Sequence, residues 1–403
     1  MVREAVWVPN DAVPLVRIRD DLEVVGDRRF ADFWSRDLEG CYVPELLSKL
    51  VGETRGEALH GVRDDNRSAI LPDRRTEIGG REFVAAVKGC GAATDAYENV
   101  SLTASRVRAI CRDDRFLGPL SRAAESSAGF ITGERWFGNT PYGGQAADNA
   151  AIALVTSLRS NEAQIAGFAI CPVVALVRLP EEFAKVASRF WWYRRYDGAY
   201  WQEIRLMPSN VRVYFHSPVT FGVDTSRVFA LFGIESPEQA EHFLENLARS
   251  CVAALTLFAR SLRWDDRRGV YAGLGYHDVW LDKDAVVAGD GRLHFADLEG
   301  IEEVAVGSAE AVREQILAQF HRNVYEAFYA LEAMALEVDR RWRLLREASS
   351  RRGWILDAVR RSSDSDPHTS FEMDGDRLVL RVDPAVDRDV CDVEIEIASG
   401  EEG

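Results

Sequence analysis

No apolar run in this sequence reaches the roughly 18 residues that cross a bilayer as a helix, and the longest, such as 165–177, are too short. The first ten residues already carry Arg3 and Glu4 with no long apolar stretch, so no signal peptide is expected. The six cysteines, Cys41, Cys90, Cys111, Cys171, Cys251 and Cys391, form no CxxC pair and no Cys/His spacing suited to zinc. That scatter predicts reduced, mostly buried thiols in a cytoplasmic protein. Cys90 stands apart because glycines flank it. An excess of basic charge is also missing. The net charge of −16 argues against a general nucleic-acid binder and against an anionic membrane partner. It leaves room for a local positive pocket that takes phosphate. No internal repeat and no low-complexity array is present.

What is present reads as a globular chain. The 403 residues suffice for one large domain or two ordinary ones, and 47% hydrophobic with 28% charged content is that of a soluble protein. Residues 45–51 read as a helix with Pro44 suited to its first turn. Gly79-Gly80 is a hairpin turn signal, and 83–87 is a strand closed by Lys88 and followed by Gly89-Cys90-Gly91. A helical stretch lies near 100–112. A turn-rich loop, 133–145, runs into an Ala-rich helix over 146–159.

The apolar run 166–179 is interrupted at Pro172 and reads as two buried strands or one broken strand. An aromatic and basic cluster occupies 190–201. Strands are expected at 211–215 and 228–232. A strong amphipathic helix covers 237–263, with Phe243, Leu247, Val252, Leu255 and Phe258 on its apolar face. A second long helix covers 309 to about 345. A Ser/Asp-rich linker at 362–366 then precedes strands at 378–382 and 393–397.

The stretch from 277 to 297 carries the chemistry. A polar loop, an apolar triplet, Gly289-Asp290-Gly291 and an alternating strand predict a hairpin with Asp284 and Asp297 at one end of it. Two carboxylates held together repel each other unless a cation lies between them. A magnesium ion bridging nucleotide phosphates fits that need. The bland alternative is a surface hairpin, since Asp and Gly are ordinary turn residues. Asp297 resists that reading because its neighbours Phe295, Ala296 and Leu298 are apolar.

Lys88, at a strand end beside Gly89 and Gly91, can reach nucleotide phosphates, or it can be a solvated strand-end lysine. Asp282 and Asp278 are the candidates for orienting an attacking hydroxyl. Lys283 is a candidate for neutralising transferred phosphate, and His277 reads as structural. Loop 133–145 could offer amides to phosphate at a helix start, although it has neither Gly-Lys-Ser/Thr nor GxGxxG. The aromatic cluster 190–201 could stack on a substrate or simply pack on the core.

The layout is strands with a lysine, a helix, more strands, a long helix, an acidic hairpin and a long helix. That order is expected of an α+β, two-lobed, protein-kinase-like fold. It has a mainly β N-terminal lobe (1–180), a mainly helical C-terminal lobe (181–349) and a small tail containing strands (350–403).

Residues 277–297 resemble the catalytic stretch of selenoprotein O, the kinase-like protein AMP-transferase family. That stretch has a histidine, a loop ending in Asp-Asn, a short strand pair and Asp-Tyr-Gly. Aligned from the histidine, Lys283 falls at the family's catalytic Asp and Asp284 at its metal-binding Asn. Asp297 matches its metal-binding Asp when a longer hairpin is allowed. Lys88-Gly89-Cys90-Gly91 is similar to the family's Lys-Gly-Ala-Gly, whose lysine contacts nucleotide phosphate. Asp297-Leu298-Glu299 also resembles the Asp-Trp-Glu or Asp-Phe-Glu of aminoglycoside and choline kinase-like enzymes.

The departures are a lysine for the base, an aspartate for the asparagine, and Leu298-Glu299 for Tyr-Gly. The 146–159 helix also lacks the glutamate that normally pairs the lysine, leaving Gln145, Asp148 or Asn149 as substitutes. The resemblance implies ATP and magnesium as cofactors and phosphoryl or adenylyl transfer to an acceptor, small molecule or protein, that the sequence leaves open. Lys283 at the base position motivates a second expectation, a catalytically silent scaffold. A metal-dependent hydrolase using Asp282 and Asp284 is a third.

Overall fold

The computed structural model describes residues 4–7, 12–20, 22–52, 55–64, 68–90, 145–187, 200–212, 225–276, 281–343, 351–363, 369–374, 377–382 and 395–397. His277, Asp278, Gly91, the 100–112 helix, most of loop 133–145, most of the aromatic cluster and residues 213–215 lie outside them. The side chains of Asp282 and Lys283 lie outside them as well. The chain is mixed α+β and divides into two compact units. The first holds 1–158, 171–207 and 219–221, and the second holds 159–170, 208–218 and 222–403. No described helix is long and apolar enough to cross a membrane.

The first unit is organised by one antiparallel sheet. Its strands are β1 Ala12–Ile18, β2 Val24–Gly26, β3 Cys41–Pro44, β4 Glu57–Arg63, β5 Ser68–Ile78, β6 Arg81–Lys88, β7 Gln145–Ala146, β10 Val173–Arg178 and β11 Tyr200–Met207. The spatial order is β2-β10-β11-β6-β5-β4-β1-β3, with β7 pairing β11. The β5–β6 hairpin closes on Gly79 and Gly80, at φ +57° and +76°. Two consecutive positive φ angles are what a tight hairpin matched to strand twist requires, and glycine supplies them without a Cβ clash. β6 is apolar at nearly every position and is buried from Phe83 to Val87. It therefore lies in the middle of the sheet, between β5 and β11.

Two helices of this unit are α1 Glu45–Val51 and α2 Ala147–Leu158. α2 buries Ala150, Ala153 and Leu154, and its Ser157 Oγ accepts from the Val173 amide at 2.8 Å. That bond ties the helix to the first residue of β10.

The second unit begins with β8 Gln164–Ile165 and β9 Phe168–Ile170. Pro172 separates β9 from β10, as the break in the apolar run predicts. Helix α3 Glu181–Ala187 belongs to the first unit. In the second unit, residues 225–231 form helix α4 rather than the strand expected at 228–232. Val228 and Phe229 are buried while Arg227 and Ala230 are exposed, a helical spacing that a short apolar run conceals. Phe229 sets its ring 5.6 Å from Phe243 and 5.5 Å from Trp342.

α5 Pro237–Leu255 starts with a capping box, Ser236 accepting from Gln239 N while Gln239 reciprocates, and Pro237 stands at its first turn. α6 Leu257–Ser261 follows after Thr256, where the expected single helix 237–263 breaks. β12 Arg263–Asp265, β13 Val270–Tyr276 and β16 Ile301–Val306 form a three-stranded sheet. α7 Leu281–Asp284, β14 Ala285–Val287 and β15 Leu293–Phe295 build the acidic hairpin. α8 Ala309–Trp342 packs along α5 and ends at Arg343 in the left-handed region. α9 Arg351–Ser363 and a sheet of β17 Thr369–Asp374, β18 Arg377–Val382 and β19 Ile395–Ile397 complete the unit.

Candidate functional site

The hairpin has the form its sequence dictates. Ala285 faces Phe295, Val286 faces His294 and Val287 faces Leu293. Gly291 turns the chain at φ +88°, and a Cβ there would sit 2.1 Å from the carbonyl oxygen of Phe243 on α5. The turn is thus pressed against that helix, and only glycine fits. Asn246 Nδ2 donates to the Asp290 carbonyl at 2.8 Å, and the Leu293 amide donates to Ser250 Oγ at 3.1 Å. β15 continues into a parallel pairing with β9, and buried His294 places Nδ1 3.2 Å from the Ile170 carbonyl. Phe295 packs on Phe168 and Tyr276, with ring centroids 4.2 and 5.2 Å away. His294 is therefore part of the packed base of the hairpin.

At the open end, the Asp284 carbonyl accepts from Ala296 N at 2.8 Å and Asp297 N at 3.3 Å. The backbones of Asp284 and Asp297 thereby lie side by side at one end of the hairpin. Asp284 is 4% exposed, and Asp297 is half-buried. Asp297 begins the short turn Leu298–Gly300, but its side chain does not cap that turn. The approach to Asp284 is also fixed. Asn323 on α8 accepts from the Leu281 amide at 3.2 Å, which anchors the turn carrying Asp282, Lys283 and Asp284. Asn323 had no sequence signal beyond a polar residue on an otherwise apolar helix face. Among the described residues no three His, Cys, Asp or Glu side chains group as a metal cage. A pair of carboxylates completed by phosphate oxygens is a different arrangement.

The first unit carries Lys88. It ends β6 in register with Ser68 on β5 and Glu203 on β11, and it is 1% exposed. Residues directly opposite in an antiparallel pair project to one face, and so does Arg205, two residues along from Glu203. Arg205 reaches Asp64 Oδ2 at 3.4 Å, Ser68 Oγ at 3.3 Å and Glu203 Oε1 at 3.8 Å. Lys88, Arg205, Glu203 and Asp64 are all nearly or fully buried. Arg205 beside Asp64 and Glu203 offsets charge inside the sheet, which is what makes that burial tolerable. The carboxylate facing Lys88 comes from a neighbouring strand. Gln145 lies instead opposite Trp201 in β7, and the side chains of Asp148 and Asn149 are outside those described. The alternation Glu203-Ile204-Arg205 in an apolar strand was the available signal.

The backbone beyond Lys88 is pinned too. Gly89 has φ +93°, and its carbonyl accepts from Gln202 Nε2 at 3.3 Å. The Gln202 amide group also bonds both backbone groups of Tyr42, its Oε1 accepting from Tyr42 N at 2.8 Å. Cys90 Sγ donates to the Val87 carbonyl at 3.3 Å and is buried, so it is a packed thiol rather than a presented one.

The chain matches no protein-family profile. No curated protein matches it significantly either.

Proposed function

We propose that this chain is an ATP- and magnesium-dependent transferase of two-lobed kinase-like fold. The observation that carries the reading is the hairpin end, where the Asp284 carbonyl accepts from the Ala296 and Asp297 amides and so brings the backbones of Asp284 and Asp297 side by side. Two hard carboxylate donors held by backbone geometry suit a small divalent cation that also takes phosphate oxygens. Asp284 and Asp297 would hold that ion, and it would neutralise charge developing on the transferred group.

Lys88 would hold nucleotide phosphates. Glu203, opposite it in register, would orient the ammonium, the part a helix glutamate takes in the resembling families. Gly89, with φ in the left-handed region, and Gly91 would let backbone approach the nucleotide. Asp282 or Asp278 would orient the acceptor hydroxyl, and Lys283 would stabilise transferred phosphate.

A second reading has its own support. Lys88 at 1% exposure, opposite Glu203 in register, is also what a structural lysine looks like. A silent scaffold that retains the fold would keep such a lysine for stability. Incubation with magnesium and ATP labelled separately at the α and γ phosphates, with and without cell extract as a source of acceptor, separates the two. The transferase reading expects one label to move to an acceptor and that movement to vanish in Asp297→Asn. Absence of transfer of either label, with the protein folded, supports the scaffold.

A further inference from the structure

A cavity of about 220 Å³ lies within the second unit. Three guanidinium side chains line it: Arg249 on α5, Arg260 on α6 and Arg292 just past the hairpin turn. Asn246, Ser250 and Ser362 add neutral polar groups, and no carboxylate is among the described lining residues. This runs against the composition of the chain, which has 65 acidic and 49 basic residues. Cations gathered on one concave wall repel each other, and an anion between them removes that cost.

The cavity wall is held in place. Arg249 donates to Asn246 Oδ1 at 3.3 Å, and Asn246 donates in turn to the Asp290 carbonyl at 2.8 Å. Gly167, at φ +76°, lies against Arg260, and a Cβ there would meet Arg260 Nη2 at 2.5 Å. Glycine there leaves the guanidinium room against the wall. Asp290 Oδ2 lies 3.5 Å from Arg292 Nε.

We propose that this cavity binds a phosphate group, either inorganic phosphate or the phosphate of a small monoester. Planar guanidiniums offer paired donors matched to tetrahedral oxyanions, and a dianion answers several cations where a single carboxylate answers fewer. The volume is below that of sites for drug-sized ligands, which suits a small anion. The cavity is at the turn end of the hairpin, and Asp284 and Asp297 are at the other. Three-residue strands separate those ends by about 10 Å. The proposal therefore stands apart from the transferase reading and does not rest on it.

The test is calorimetric titration of the full chain with inorganic phosphate, with a hexose monophosphate and with chloride at matched ionic strength, for the wild type, Arg249→Gln and Arg260→Gln. Arg249 is exposed, so its replacement leaves the fold intact, and thermal melts check both variants. Saturable phosphate binding weakened about tenfold or more by each replacement supports the site, as expected when a charge-assisted bond is lost. Equal affinity for both phosphate ligands identifies the inorganic ion, and tighter binding of the monoester identifies an organic phosphate. Asp297→Asn is expected to leave this binding unchanged. Binding no better than chloride, or binding that survives both arginine replacements, overturns it.

Discussion

Asp284 and Asp297 are joined through the backbone: the carbonyl of the first accepts from the amide of the second at 3.3 Å, beside the 2.8 Å bond from Ala296. The backbone positions of the two aspartates are therefore set by the end of the hairpin. Asp297→Asn removes charge from a half-buried side chain and keeps its shape. Its melting temperature is expected to stay within a few degrees of the wild type. The magnesium-dependent part of any nucleotide stabilisation is expected to disappear, which thermal shift with and without magnesium measures.

Gly291 is where the hairpin meets α5. Alanine there places Cβ against the Phe243 carbonyl and forces a left-handed backbone on an L residue. A loss of about 2 kcal/mol or more is expected in urea unfolding. Gly80→Ala, with positive φ but nothing within 4 Å of the added carbon, is expected to cost less.

The ion cluster under β11 predicts a sharp asymmetry. Arg205→Met leaves Glu203 and Asp64 buried without the guanidinium that reaches both. Breaking one partner of such a set costs about 3–5 kcal/mol. Replacing Arg205 and Asp64 together by apolar residues is expected to recover part of that loss. A double-mutant cycle by chemical denaturation checks it.

Acid sensitivity is expected at Glu303. Burial alone would raise its carboxyl, but hydrogen bonds and charge from Arg263 and Arg268 outweigh that, and it lies below its usual 4.5. Glu337 is held down in the same way by Arg340 and Arg341. A depressed folded value means a contribution that is complete above the unfolded value and lost as pH falls from about 4.5 through the folded one. Stability measured from pH 6 downward is expected to fall in that window, and less steeply in Glu303→Gln.

Thiol titration offers a packing test. Cys41, Cys90, Cys171 and Cys251 are buried, and burial pushes the Cys251 thiol up to about 12. Native protein at pH 8 is expected to leave these four unreactive toward an aromatic disulfide, and denatured protein to expose all six thiols.

Turn chemistry and periodicity made much of this readable from the sequence. Gly79-Gly80, the Pro172 break and the Gly-Asp-Gly hairpin each carry a local constraint, and each appears where the sequence places it. The strand expected at 228–232 is a helix over Thr225–Leu231, because a short apolar run has no period to distinguish strand from helix. Glu203 as the neighbour of Lys88 depends on which strands pair across more than a hundred residues of chain, and local pattern does not encode that. The arginine cavity is similar: Arg249, Arg260 and Arg292 look like ordinary solvated charges until α5, α6 and the hairpin turn bring them together.

The proposed function assigns nucleotide phosphate to Lys88 and magnesium to the Asp284/Asp297 pair. Calorimetric titration with a non-hydrolysable ATP analogue, with and without magnesium, on the wild type, Lys88→Met and Asp297→Asn tests it most directly. The account predicts magnesium-dependent binding in the wild type, weakened about tenfold or more by either replacement. No binding to folded wild-type protein, or equal affinity in all three, would contradict it.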